Sequence, residues 1–228
     1  MPDPSPNRQA RAASDSAWVS YVAPMIAFGL FTTAEGYVEP NLYPWVYAAK
    51  LASVVACFVI WPGALRDLRV GRPHAAASVV VGLVVFALWV GIEETLAYPH
   101  IGERTAFDPA SITPAGTRTM FLVLRLIGLV IVVPVMEELF WRSLSLRYLT
   151  NADFLKVPIG EYSRNALVIS VVFFAATHTE WLVAALTGLT YSVWVRYTRS
   201  VLAAVIAHAV TNAALGVYIL KTGKWIYW

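Results

Sequence analysis

Apolar stretches recur along this chain at the length of a bilayer, and that recurrence restricts its fold more than any other feature. They lie at about 18–34, 44–62, 76–92, 123–147, 165–179, 182–197 and 200–220. A helix needs roughly 20 residues to cross a hydrocarbon core about 30 Å thick. Inside hydrocarbon every backbone N–H and C=O must be bonded within the segment, which at these lengths leaves only helices. The pattern predicts an all-α, polytopic integral membrane helical bundle of about seven transmembrane helices. Composition agrees: only 14% of residues are charged, against about 25% in soluble domains. The fifth and sixth stretches are short and share the link THTEW, which predicts tilting or a turn inside the protein.

The opening segment, MPDPSPNRQARAASDS, is polar and rich in Pro and Ser, the composition of a disordered N-terminal tail over 1–17. No small-residue cleavage site is evident near the first apolar stretch, so a secretory leader is not expected. A single transmembrane domain over 18–220 follows, with the chemistry-bearing core at about 120–215 and a short C-terminal tail at 221–228. The connecting segments alternate in sign. Arg8 and Arg11, then Arg66, Arg69 and Arg72, then Arg147, Lys156 and Arg164, then Arg196 and Arg199 mark one side. Glu35, Glu39, Glu93, Glu94, Glu103 and Asp108 fall on the other, and the first four are expected to be solvated loop or interface residues. Positive residues favour the cytoplasmic side, so the N-terminus is expected to be cytoplasmic; Lys221 and Lys224 run against that trend. The net charge of +3 is thus an orientation signal, and no nucleic-acid partner is expected. The lone Cys57 excludes a disulfide framework and a thiol metal site. Lys50, within the second stretch, is expected to snorkel or to pair with one of the acids.

Within the fourth stretch, VPVMEELFWRSL places Glu137, Glu138 and Arg142 among apolar neighbours. Glu138 and Arg142 are four apart with the acid first, the favourable order for a pair on one helix face. Adjacent residues point about 100° apart on a helix of 3.6 residues per turn, so one Arg cannot easily serve both acids. Glu137 is left over, and an intramembrane acid without a partner marks a functional site. Two further pairs sit at the same spacing: Phe174 with His178, and His208 with Asn212. At 1.5 Å per residue, Glu137 lies roughly 15 Å from Arg147, His208 about 14 Å from Arg199 and His178 about 21 Å from Arg164. Tilt can absorb that spread, which allows one cluster in mid-membrane.

Such a cluster can hydrolyse a peptide bond. A Glu beside a His can act as general base on a water, and a second His with an Asn can donate to a developing oxyanion. Blander readings compete. Glu137 could pair with Arg125 or Lys50, His178 could bond a carbonyl at the THTEW turn, and His208 with Asn212 could join helices. Phe174 reads as packing. Among other membrane proteases, the zinc H-E-x-x-H motif and the serine G-x-S-x-G motif are missing, and no Asp falls within an apolar stretch.

The ordered set E-E-x-x-x-R (Glu137, Glu138, Arg142), F-x-x-x-H (Phe174, His178) and H-x-x-x-N (His208, Asn212) resembles the CPBP family. These are CAAX prenyl protease-related and bacteriocin-processing proteins, also called Abi proteins, and are intramembrane glutamic proteases. The resemblance implies that Glu137 and His178 activate water and that His208 and Asn212 form the oxyanion hole. It makes Glu138 and Arg142 structural support, and implies no cofactor and no metal. The expected partners are a membrane-associated protein or peptide as substrate and the lipid bilayer. The segment GYVEPNLYPWVYAAK resembles the branch that accompanies bacterial exosortase systems, which implies a bacterial inner membrane and a protein-sorting system as partner. Two alternatives carry different chemistry. Glu137, His178 and His208 could ligate zinc, leaving a position open for water, or the fold could be a non-catalytic scaffold.

Overall fold

The computed structural model describes residues 6–103 and 106–228, with side chains from residue 17 onward. Among the described residues, seven helical rods make up the bundle: α1 (Pro6–Glu35), α2 (Tyr43–Ile60), α3 (Ala75–Thr95), α4 (Ala115–Thr150), α5 (Arg164–Ala176), α6 (Trp181–Thr198) and α7 (Val201–Thr222). Helical backbone thus extends through 6–16, a stretch whose polar composition reads as a disordered tail. The Ala-rich run Gln9–Ala13 favours helix, and Pro6 sits at the helix start, where its missing N–H costs nothing. Residues 1–5 lie outside the described residues.

Five of the helices are long and apolar enough to cross a membrane: Ala17–Glu35, α2, α3, α4 and α7. The protein is an all-α integral membrane bundle. The other two rods form a shorter hairpin. α5 has 13 residues and so rises roughly 20 Å, short of a hydrocarbon core of about 30 Å. Its turn with α6 therefore lies within the thickness of the bundle, as the short THTEW link suggests. The segment after α3 covers that turn: Ile101 N–H donates to Thr179 O at 3.1 Å, and Trp181 Nε1 donates to Pro99 O at 2.8 Å.

The close packing of α3 on α7 depends on Gly82, because a Cβ there would stand 2.3 Å from the Ala207 carbonyl oxygen. Small residues at such crossings let membrane helices approach one another. Thr211 on α7 adds a bond from its hydroxyl to the Gly82 carbonyl at 2.8 Å.

Three charged residues sit differently from what the sequence suggests. Arg147 is buried, not a loop residue, and its Nη2 lies 2.6 Å from Asp67, which also accepts from Tyr21 and Ser143 at 2.5 Å each. The helix runs on to Thr150, beyond the arginine. Glu35 is not solvated: its side chain is 7% exposed and pairs at 2.6 Å with the buried Lys50. That pairing answers the question of where Lys50 goes. Glu93 is also buried, bonded to Tyr98 and to His100. In the first two cases burying one charge beside its counter-charge avoids the large cost of an isolated ion in hydrocarbon.

After α7 the chain turns back over the same end of the bundle. Lys224 and Tyr227 both bond Glu94 on α3, and the Trp228 ring faces Arg125 on α4 at 5.6 Å.

Candidate active site

α4 carries two π-helical segments, Gly128–Val132 and Leu139–Ser145, on either side of the Val133–Glu138 turn. Pro134 lies between them and has no N–H to continue the ordinary ladder, which is a common origin of such irregularity. Wider π turns leave carbonyls for other donors. Asn212 on α7 uses one, its Nδ2 donating to Leu129 O at 2.8 Å.

Glu138 and Glu137 leave the helix toward different surroundings. The Glu138 side chain is fully buried, with Oε1 3.2 Å from Arg142 Nη1 and Oε2 3.2 Å from Arg142 Nε. Oε1 also accepts from His208 Nδ1 at 2.9 Å. Arg142 lies between two rings, 4.4 Å from the centre of Phe174 and 5.5 Å from that of Tyr191. The cation–π contact adds to the pairing in a desolvated site. Phe174 is thus packing, as its sequence context suggests, and what it packs against is the charge that holds Glu138. Glu138 and Arg142 are within ion-pair distance, and His208 is an additional partner of that carboxylate.

Glu137 instead faces a cavity of about 210 Å³, shared with His178, His208 and Asn212. Among the described residues its carboxylate has no ion pair, with Arg125, Lys50 or any other cation. A water needs only on the order of 10–15 Å³ of such space, so the cavity has room for water and a peptide group. Counted from the true end of α4, Glu137 lies 150 − 137 = 13 residues in, or roughly 20 Å. That depth matches His178 more closely than a count from Arg147 does.

His178 follows the end of α5 and is held by its own helix. Its Nδ1 is 2.8 Å from the Phe174 carbonyl oxygen and 3.2 Å from Thr177 Oγ1. A carbonyl only accepts, so Nδ1 carries a proton, and in the neutral ring Nε2 keeps its lone pair. The carbonyl bond foreseen as a rival explanation therefore exists, and it orients the imidazole for use as an acceptor. The Trp89 ring lies 6.2 Å from the same imidazole.

Sequence reasoning missed several lining residues. Trp89, Thr187, Tyr191, Thr211 and Tyr227 also face the cavity. Tyr191 lies 5.5 Å from the His208 ring, and its hydroxyl bonds Thr211 at 2.7 Å. None of these types stands out in an apolar helix. Only the i, i+4 spacing of Thr187 and Tyr191 on α6 signals a shared face.

These elements define a class: a helical integral membrane protein with a carboxylate and two imidazoles around an interior cavity. Residues 119–214 match the Rce1-like family of type II CAAX prenyl endopeptidases, in agreement with the CPBP resemblance of the three motifs, all of which fall inside the matched segment. The match supports a protease and suggests intramembrane endopeptidase activity. No curated protein and no solved structure matches the chain.

Proposed function

We propose that this protein is a glutamate-dependent intramembrane endopeptidase that cuts a membrane-associated protein or peptide. The observation that carries the reading is Glu137: a carboxylate without an ionic partner among the described residues, in one cavity with an imidazole whose Nδ1 is already bonded. Glu137 takes a proton from water as the water oxygen attacks the scissile carbonyl carbon, and His178 Nε2 accepts from the same water and orients it. The carbonyl oxygen becomes an oxyanion. Asn212 has a second amide N–H beyond the one given to Leu129. His208 can donate from Nε2 only when both ring nitrogens carry protons, the form whose charge Glu138 offsets at 2.9 Å. The proton held by Glu137 then passes to the leaving nitrogen as the C–N bond breaks, giving a carboxylic acid and an amine, and the acid's proton passes on to the amine to leave a carboxylate and an ammonium.

The same reading puts the N-terminus and the Arg-rich loops on the cytoplasmic side of a bacterial inner membrane, with substrates supplied by a protein-sorting system. The test is cleavage of membrane-anchored peptides by purified protein, with wild type compared with Glu137→Gln, each with and without EDTA. Cleavage that survives EDTA and is lost in the variant is the expected result. Cleavage lost with EDTA would transfer Glu137, His178 and His208 to a zinc site. A variant as active as wild type would overturn the assignment of Glu137.

A further inference from the structure

Beside the catalytic cavity lies a larger vestibule of about 610 Å³, and Glu180 and Tyr227 line both spaces. Its wall combines aromatic rings, among them Tyr43, Phe107 and Trp228, with Arg125 and the Lys50–Glu35 pair. Arg125 stacks on the rings of Tyr47 at 5.0 Å and Trp228 at 5.6 Å. Among the described residues it forms no ion pair. Two polar atoms at this wall are buried and unbonded among the described residues, the acceptor Glu35 Oε1 and the donor Trp228 Nε1. Buried polar groups are nearly always bonded, so these two open atoms, beside an arginine without a counter-ion, mark the positions of a ligand's own groups.

Resting on the peptidase reading of the adjoining cavity, we propose that the vestibule is a substrate subsite in which Arg125 binds a peptide carboxylate. Glu35 Oε1 accepts an N–H of the same segment. A peptide supplies both groups along one extended backbone, whereas in phosphatidylglycerol the acceptor is a phosphodiester and the only donors are hydroxyls. Glu103 and Glu180 also line the wall, so the carboxylate is placed by direct contact with Arg125 and not by the mean field of the vestibule. Arg125 and Glu137 are 137 − 125 = 12 residues apart on α4, roughly 18 Å along the axis. Extended chain advances about 3.3 Å per residue, which puts the carboxylate about five residues from the scissile bond.

The test is binding of labelled, acyl-anchored peptides to the full chain carrying Glu137→Gln, followed by fluorescence anisotropy. Three peptides share one neutral sequence: one ends in a free carboxylate, one is amidated with a single internal Glu, and one is amidated and neutral. At least one carboxylate peptide is expected to bind about ten- to hundredfold more tightly than the neutral one. Which one does so identifies the source of the carboxylate. Adding Arg125→Gln should remove the preference, with unchanged thermal unfolding reporting an intact fold, and Arg125→Lys should keep part of it. Equal binding of all three peptides would overturn the subsite, as would a preference indifferent to Arg125→Gln. Arg125-dependent binding of short-chain phosphatidylglycerol with no peptide preference would overturn it in favour of a lipid site. The readout is affinity, so loss of the peptidase reading, seen as equal activity of wild type and Glu137→Gln, is a separate result.

Discussion

Replacing Glu138 with Gln removes one negative charge from a site where Arg142 and His208 both depend on it. Gln keeps the shape and one acceptor oxygen, so the change isolates charge. The side chains of Glu138 and Arg142 are 0% and 2% exposed, so solvent screening does little to soften the loss. Breaking one partner of a buried pair costs about 3–5 kcal/mol, because the other charge stays buried and uncompensated. At about 2–4 °C per kcal/mol for a chain of this size, unfolding followed by tryptophan fluorescence in detergent should fall by roughly 6–20 °C. The double variant Glu138→Gln/Arg142→Met should regain most of that, since removing both charges of a buried pair is often close to neutral. It should not regain peptide cleavage, because His208 would still lack the carboxylate that orients Nδ1. Two results would refute this reasoning: a single variant as stable as wild type, or a double variant less stable than the single.

Asn212→Ala removes the proposed oxyanion donor and also leaves the Leu129 carbonyl without its partner. Cleavage should fall by about 10²–10³ in kcat, and stability by about 1–3 kcal/mol, read by turnover assay and thermal unfolding on one sample. Gly82→Val places side-chain atoms where the Ala207 carbonyl stands 2.3 Å from an added Cβ. Overpacking of this kind costs about 1–3 kcal/mol or more. Thermal unfolding should fall accordingly, and unaltered unfolding would show that α3 and α7 are not in tight contact.

Glu137, His178, His208 and Asn212 were legible as one group because polar residues in apolar helices have few places to go, and i, i+4 spacing survives into the fold. They share one cavity. The second partner of Glu138 was not legible: His208 lies 70 positions away, and only tertiary packing brings it there. The same holds for Arg147 with Asp67 and Lys50 with Glu35, where a charge that looks like a loop marker or a lone intrusion is half of a buried pair. The π segments had a local signal in Pro134, three residues before Glu137, that hydrophobic periodicity alone passes over. The helical rods themselves were legible from apolar length. The shortfall of α5 and α6 as spans comes from the 13-residue length of one and the polar content of the other, which carries Thr187, Thr190, Ser192 and Arg196.

α5 stops short, and its turn stands within the thickness of the bundle, covered by Pro99 and Ile101. A substrate helix with side chains is about 10–12 Å across, far too wide for a chamber of about 210 Å³. Any chain cut here must arrive unwound, with its peptide N–H and C=O groups already free of their own helix. In a bilayer that condition is met near the polar surface and at sites of local melting, since an exposed peptide group in hydrocarbon costs several kcal/mol. On the proposed reading the hairpin would act as a depth stop. It would select bonds by how far below the surface a segment can be drawn before it must refold, with the neighbouring side chains exerting a secondary preference.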